Sequence, residues 1–567
     1  MIKNQKKFLH YLQDVKKIIK NEVNNEDLIQ IEQLIKKAEL VVPVVGGFSA
    51  GKSTLINSYL DSKILPTGIT PVTALATEIR FDTNDHIEAL DENQNIAKYE
   101  LSESELIKEN AKDYEYLKLH LHNQKIKDIE SLVLVDMPGF SSPINLHNRA
   151  ILNYLSKGVY FVVLLSVEDG TIPQSLLREL QNIDELEKKF IFCLSKTNLK
   201  PKGDLSLILE NIKESLELEF DYTNDIVLLD DNSGESLKKI LKNIDYEELF
   251  QSLFIEQLKG IYFDIDSTLN IKIATLRNTN EEAQKAINEL QNGVKKIRAK
   301  QESTIADVKE KYSSQNIEAI INAIATELLK NQETLTNMAL HNPDGLSVEI
   351  NEILTSKLLS EIKRRLESVS DRVINEFNIE INNSLRDISN FSLDADWVNK
   401  LSQNMKAILK LSQQGLDKLG TIADSKKNNA IYKTIASILG ITTTILNPIL
   451  EVVILFLPEI ISKLTKASQE QKIKETFIQK LHAEIIPSIK VKVREVLPEI
   501  YNEQVKSLVT QIAQTFEKEL QQKEQEIQGT LKAKEENIKD GEKEIDRLLS
   551  IKNELKEITT KTLYEEV

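Results

Sequence analysis

A glycine-framed loop constrains this chain more than any other feature. Residues Gly46 to Thr54 read GGFSAGKST and follow directly on the apolar run Leu40-Val41-Val42-Pro43-Val44-Val45. The spacing G-x-x-x-x-G-K-[ST] sets Gly46, Gly51, Lys52 and Ser53 in the register of a phosphate-binding loop. A polyphosphate needs several backbone N–H groups converging on one point, and glycine lets the backbone come that close. A helix starting near Lys52 would aim its positive end at the same anion. Lys52 would reach the β/γ oxygens as a point charge, and the Ser53 hydroxyl would ligate Mg²⁺. The strand-then-helix setting is what the motif demands and disfavours a fortuitous glycine turn.

At 567 residues the chain is too long for one core, so at least two domains are expected. A net charge of −16 argues against a nucleic-acid partner bound over a broad surface. One cysteine, Cys193, excludes an internal disulfide framework and suits a reducing, cytoplasmic compartment. The N-terminus, MIKNQKKFLHYLQDVKKIIK, scatters Lys and Asp among apolar residues and reads as an amphipathic helix rather than a signal peptide.

Glycine and proline divide the chain into two halves. Seven of the twelve prolines fall before position 202, and beyond about residue 245 helical periodicity dominates. In the first half, strand candidates are Val41–Val45, Ala76–Phe81, Ser131–Val135, Val159–Ser166, Phe190–Leu194 and Ile226–Leu229, with helical patterns between most of them. That alternation predicts a mainly parallel sheet with helices on both faces and a ligand at the carboxyl ends of the strands. In the second half, Ile287, Leu290, Val294 and Ile297 step by three or four residues. Leu520, Ile527, Leu531, Ile538, Ile545 and Leu549 continue a similar stripe. Such stripes predict an elongated helical bundle, with an N-terminal helix over Lys3–Leu40 packed against it.

Two further motifs support the loop. Asp136-Met137-Pro138-Gly139 follows the strand Leu132-Val133-Leu134-Val135, where a carboxylate can hold a water of the Mg²⁺ shell and the Gly139 N–H can sense a γ-phosphate. Between the motifs, Leu65-Pro66-Thr67-Gly68-Ile69-Thr70-Pro71-Val72-Thr73 reads as a switch loop that offers Mg²⁺ a threonine hydroxyl, Thr73 first and Thr70 second. A base-reading loop is expected after Phe190–Leu194, where the chain reads Ser195-Lys196-Thr197-Asn198.

With these residues in view, the chain resembles the dynamin superfamily of large GTPases, specifically its bacterial dynamin-like branch. The resemblance rests on GGFSAGKSTLIN (Gly46–Asn57), LPTGITPVT (Leu65–Thr73), VDMPG (Val135–Gly139) and SKTN (Ser195–Asn198), and spans roughly the first 240 residues. It implies an α/β P-loop GTPase domain plus an elongated all-α bundle of neck and trunk with a hydrophobic tip. The expected boundaries are an N-terminal helix on the neck (1–39), the GTPase domain (40–245), neck helices (246–310), the trunk (311–515) with a paddle at 430–466, and a C-terminal neck helix (516–567). The ligands implied are GTP or GDP with Mg²⁺. Gly46, Phe48, Ser49, Ala50, Gly51, Lys52, Ser53, Thr54, Asp136, Gly139, Lys196 and Asn198 would hold the nucleotide. Ser53, Thr73 and Asp136 would hold the metal, and Lys52, Ser49 and Thr73 would serve hydrolysis. The resemblance also implies a homodimer through the GTPase domains, and leaves room for further self-assembly or pairing with other dynamin-like proteins. By the same resemblance, the Asp230-Asp231-Asn232-Ser233-Gly234 turn would close over base or ribose; a simple turn is the alternative.

Two positions depart from the family pattern. Asn198 stands where aspartate is expected, and it offers one acceptor oxygen where guanine presents two donors. Losing a charge-assisted bond costs about 1.5–3 kcal/mol, so base preference is expected to weaken unless Asp204 substitutes. Phe48 stands where eukaryotic dynamins carry a water-orienting glutamine, which leaves Ser49 or a backbone carbonyl for that task and predicts slow or partner-dependent hydrolysis.

Thr434 to Leu450, TIASILGITTTILNPIL, is seventeen residues without a charge. As one helix it would span about 26 Å, short of a ~30 Å hydrocarbon core, and Pro448 and Pro458 would break it. A hairpin dipping into one leaflet is favoured, with Lys426, Lys427, Lys433, Lys463 and Lys466 facing headgroups; a buried helix pair or a self-association surface is the alternative. His120 and His122 would share one strand face, a metal pair without an evident third ligand and so read as a solvated hairpin. Cys193 reads as packing. The expectation is a cytoplasmic, peripheral-membrane GTPase that remodels membranes and drives vesicle release. Its rivals are a coiled-coil P-loop ATPase and a nucleotide-gated scaffold, or subunit of a membrane-inserting assembly, with little turnover.

Overall fold

The computed structural model describes residues 2–20, 22–23, 26–47, 49–66, 75–91, 95–139, 154, 157–185, 188–230, 233–307, 313–341, 345–413, 470–536 and 541–565. Phe48, Thr70, Thr73, the Asp231-Asn232 pair, Ile538 and the 430–466 segment lie outside the described residues.

Alternation along the first apolar run sets the central layer. In β1 (Leu40–Gly46), Leu40, Val42 and Val44 join one apolar cluster while Val41 and Val45 join another. A strand buried on both faces reads as a continuous apolar run because no face meets water. Eight more strands follow: β2 (Ala76–Phe81), β3 (His86–Leu90), β4 (Ile96–Tyr99), β5 (Tyr116–Leu121), β6 (Leu132–Asp136), β7 (Tyr160–Ser166), β8 (Lys189–Ser195) and β9 (Val227–Leu228). They form one nine-stranded sheet in the order β4-β3-β5-β2-β6-β1-β7-β8-β9.

The half from β6 to β9 is parallel, as the alternation of strand and helix implies. The other half keeps β2 parallel to β5 but adds antiparallel pairings, so the sheet is mainly, and not wholly, parallel. There β2 runs antiparallel to β6 and β3 antiparallel to both β4 and β5. The hairpin strands β3 and β4 and the adjoining β5 lack a long apolar run. His86, Glu88 and Lys98 interrupt β3 and β4, and β4 is half-exposed, so periodicity alone does not reveal that pair, whereas Leu117, Leu119 and Leu121 of β5 alternate with Lys118 and His120.

Helices cover both faces. One face packs Leu176 and Leu180 of the helix Gln174–Glu185 and Ile212 and Leu216 of Lys202–Phe220. The other is continuous with the N-terminal helices, the long helix Tyr246–Arg277 and the C-terminal helix Gly541–Thr559. The N-terminal segment expected as one helix is two, Lys3–Ile19 and Glu26–Lys37. Lys20 ends the first with a positive φ (48°), just before an asparagine-rich stretch that favours turns. The first helix begins where Lys3 and Asn4 donate their backbone N–H groups to the Glu247 carboxylate, each at 2.7 Å.

Tyr246–Arg277 belongs to two cores. Leu253, Phe254 and Leu258 pack beneath the sheet, while Ile271 and Ala274 enter the helical bundle. The bundle continues through Asn280–Asp307, Ser313–Lys330, Gln332–His341, Leu346–Leu385, Ala395–Gln413, Glu470–Lys480 and Ile486–Glu536. Thr279 and Glu282 cap Asn280–Asp307 reciprocally, the Glu282 N–H donating to the Thr279 hydroxyl at 3.2 Å and the Thr279 N–H to Glu282 at 2.8 Å. The stripe Ile287, Leu290, Val294, Ile297 is buried in the bundle. The C-terminal stripe is divided: Leu520, Ile527 and Leu531 face the bundle core, whereas Ile545 and Leu549 pack on the core beneath the sheet. Among the described residues no helix is long and apolar enough to cross a membrane.

The sheet domain also touches the bundle at its flank. Arg178, on Gln174–Glu185, donates to Glu349 Oε1 at 2.7 Å and to Asn331 Oδ1 at 3.2 Å, and both charged side chains are buried. Nearby the Ser356 hydroxyl donates to Asn182 Oδ1 at 3.4 Å.

Candidate nucleotide site

The site lies where β1 ends, between β6 and β7. Gly46 is at the strand end with its Cα against β7. A Cβ there would stand 2.3 Å from the Leu164 carbonyl oxygen, so no other residue fits without moving that backbone. Gly51 takes φ 91° immediately before the helix Lys52–Leu60, a conformation that favours glycine. Ser49, with φ 63°, is exposed between them, while Ala50 is buried and Thr54 exposed.

Lys52 is buried at the helix start and donates its ammonium to the carbonyls of Gly46 and Gly47, each at 3.0 Å. Burial pulls its pKa down to about 8, against the opposing pull of Asp136. Ser53 donates its hydroxyl to Asp136 Oδ2 at 2.6 Å, and Asp136 Oδ1 is buried with no hydrogen-bond partner. Burial pushes Asp136 up to about 6, although Ser53 and Lys52 both favour its charged form. A cation beside a carboxylate with one orphaned oxygen, at a helix N-terminus, is a site shaped for a charged ligand. Ser53 and Asp136 fit a hard divalent ion, the hydroxyl as ligand and the carboxylate through a water. Gly139 is buried just beyond Asp136.

The base-loop residues are placed by the neighbouring strands. Ser195 ends β8 and donates its hydroxyl to the carbonyls of Ala50 at 2.7 Å and Leu165 at 3.1 Å, which ties this loop to the phosphate loop. Lys196 follows in a left-handed conformation (φ 58°) with its ammonium against Glu168. Thr197 donates both its backbone N–H and its hydroxyl to the Leu229 carbonyl at 3.1 Å. Asn198 is exposed in the turn Thr197–Leu199, and Asp204 is exposed in the first turn of Lys202–Phe220. Gly234 approaches the helix Lys52–Leu60 so closely that a Cβ would stand 2.4 Å from the Ser58 carbonyl oxygen, and its N–H donates to Ser58 Oγ at 3.0 Å. Thus Lys52, Ser53, Asp136 and Ser195 converge. The SKTN motif marks Ser195, although not for its tie to the phosphate loop, whereas Glu168 and Ser58 join the site without a motif pointing to them. Cys193 is buried in β8, and burial raises its thiol well above the usual range.

Residues 42–197 match the family model described as the dynamin family. This segment is a dynamin-family domain. Members of that family are GTPases. An uncharacterised protein from Caldicellulosiruptor sp. is 28% identical over 227 residues, 37% of this chain and 52% of its own length. Dynamin-like protein 2 of Campylobacter jejuni is 28% identical over 229 residues, 38% of this chain and 34% of its own length. The chain thus spans about half or less of the curated relatives it matches. A nearer likeness to LeoA, a bacterial dynamin GTPase from ETEC, is also expected from the motifs and layout. Its solved structure aligns over 99% of both chains at 12% identity, with a TM-score of 0.31.

Proposed function

We propose that this chain binds and hydrolyses GTP with Mg²⁺ at the dynamin-family domain and passes nucleotide occupancy to its helical trunk. The observation that carries the reading is the buried Lys52 ammonium facing the Ser53–Asp136 pair, with Asp136 Oδ1 unpartnered. Lys52 would exchange its carbonyl partners for phosphate oxygens, and Ser53 with Asp136 would hold the cation, which neutralises charge developing on the transferred phosphoryl group. Thr73 would complete the metal shell and Ser49 would orient the attacking water. Lys196 and Asn198 would meet the base, with selectivity weakened because Asn198 replaces a carboxylate.

The path to the trunk is short. Ser195 links the phosphate loop to β7 and β8, β7 runs into the 3-10 turn Val167–Asp169, and the chain then enters Gln174–Glu185, which carries Arg178. The apolar run within residues 430–466 is the proposed lipid contact, and paired nucleotide domains the proposed dimer. Membrane remodelling, with vesicle release as its outcome, would follow from cycles of trunk movement at a lipid surface.

Calorimetry with GTP, ATP and XTP, and turnover with and without anionic vesicles, tests the reading. GTP binding abolished by Lys52→Ala is expected, with turnover raised by lipid. Vesicle flotation is expected to be lost in Ile438→Asp/Ile445→Glu. Binding without turnover would assign the nucleotide-gated scaffold instead, and a preference for ATP would assign the ATPase. No binding of any triphosphate would falsify the proposal.

A further inference from the structure

We propose that Asp82, His86 and His120 form a site for one divalent transition-metal ion of the zinc class, on the half of the sheet remote from the base loop. The strand register sets up the cluster. His86 of β3 lies directly opposite His120 of β5, and the rings stack with centroids 4.3 Å apart. The loop joining β2 to β3 crosses the end of β5 and is pinned there. The Asp82 N–H donates to the Leu121 carbonyl at 3.1 Å, and the His122 N–H donates to Asp85 Oδ1 at 2.6 Å. Ligand atoms from Asp82, His86 and His120 all lie within 4.8 Å of one another.

The hydrogen bonds around these residues leave coordinating atoms free. His86 Nδ1 lies 3.0 Å from the Asn84 carbonyl, to which it donates, so its lone pair is on Nε2. Asp82 Oδ1 accepts from the Thr83 N–H at 2.6 Å and from its hydroxyl at 3.2 Å, and Oδ2 faces His120 Nδ1 at 3.6 Å. Both nitrogens of His120 are buried without a hydrogen-bond partner. Such a ring asks for a ligand on each side, since a buried polar atom left unpaired is costly. Glu88 Oε2, 3.5 Å from His120 Nε2 on a carboxylate whose Oε1 pairs with Lys98 at 2.9 Å, is placed to accept the Nε2–H once Nδ1 takes a metal. That carboxylate–histidine–metal order fixes ring orientation and raises ligand basicity.

The chemistry selects the ion. Two imidazoles with one carboxylate suit zinc and its neighbours, whereas magnesium and calcium take oxygen ligands. Donors around a tetrahedral zinc at about 2.1 Å stand about 3.4 Å apart, so binding requires the parallel rings to tilt until both lone pairs point at one ion, and the exposed side of Asp82 leaves room for a water as fourth ligand. The ion would staple the β2–β3 loop to β5.

Titration of metal-stripped, nucleotide-free full-length protein with ZnCl₂, and with Co²⁺ followed by visible absorption, tests the assignment. One equivalent is expected, undisplaced by excess Mg²⁺, with a Co²⁺ spectrum of tetrahedral intensity and a raised Tm. His86→Ala and His120→Ala should each weaken binding by more than about tenfold. His120→Gln, which keeps side-chain bulk, should do the same while circular dichroism and nucleotide binding stay as in the parent. Zinc affinity unchanged in His86→Ala/His120→Ala would overturn the site. Zinc lost instead in Asp136→Asn would move the ion to the nucleotide loop and overturn it equally. Absence of stoichiometric uptake by the parent protein would leave the pair a stacked, metal-free contact.

Discussion

The dynamin-family domain meets the helices at two places built on opposite principles. Beneath the sheet the contact is apolar: Phe8 and Phe254 lie 6.3 Å and 5.0 Å from Phe250, and Leu253 and Leu258 extend the same core. At the flank it is polar and narrow, centred on Arg178 with Glu349 and Asn331. An apolar core loses free energy in proportion to the area it exposes, and close packing forbids partial opening. A buried ion pair has a small net contribution while intact, because desolvation offsets the attraction. The domain should therefore hold to the long helix Tyr246–Arg277 as one body, with any nucleotide-driven rearrangement concentrated at the flank.

The largest expected effect lies beneath the sheet. Phe250→Ala should cost about 3–5 kcal/mol in chemical denaturation, the usual loss for a fully buried aromatic. A loss below about 1 kcal/mol would erase the contrast. At the flank, Glu349→Gln leaves Arg178 buried without its counter-charge. It should cost up to about 3 kcal/mol, seen as faster hydrogen exchange confined to 174–185 and 346–356. Arg178→Met combined with Glu349→Leu should restore protection, since apolar groups of similar volume replace buried pairs without loss. A third, smaller effect sharpens the comparison. Mg²⁺ with GTP should shift exchange in Gln174–Glu185 by a coupling of about 1 kcal/mol and leave 246–258 unchanged. Equal responses at both contacts would refute the division.

The parts legible in the sequence are those where one residue's chemistry decides the local structure. Gly46, Gly51 and Lys52 announce the phosphate loop because backbone approach and positive φ exclude most alternatives. The strand Ala76–Phe81 and the helical stripe at Ile287–Ile297 are read from apolar spacing alone. What escapes depends on partners distant in sequence. The His86–His120 pair needs the antiparallel register of β3 on β5, and β3 is too short and mixed in polarity to announce itself. His122, the partner suggested by alternation, instead lies 6.1 Å from the Phe81 ring and is exposed. Arg178 and Glu349 are 171 positions apart, and each alone reads as a solvated charge on an amphipathic helix.

The smallest effect concerns protons at the nucleotide loop. Asp136 in the folded chain titrates near about 6, above the ~3.9 of an unfolded carboxyl. The folded state therefore keeps a proton that the unfolded state has released. The stability this contributes is present below about pH 4 and is lost as pH rises through about 6. Lys52 is shifted the other way, to about 8 from the ~10.4 of an unfolded lysine. Its neutral form favours folding at high pH, and that contribution is lost as pH falls through about 8. Near neutrality the folded chain thus holds two charges that each oppose folding, at the place where a metal-bound triphosphate would neutralise them. Asp136→Asn should accordingly raise the Tm of the nucleotide-free protein at pH 7 while weakening Mg²⁺-dependent GTP binding. In the parent protein that affinity should decline as pH falls through about 6. The terminal phosphate titrates in the same range, so the decline attributable to Asp136 is the difference between parent and Asp136→Asn profiles. Parallel profiles would separate the carboxylate from the bound cation, and with it the polar strain at the loop from any role in driving the flank.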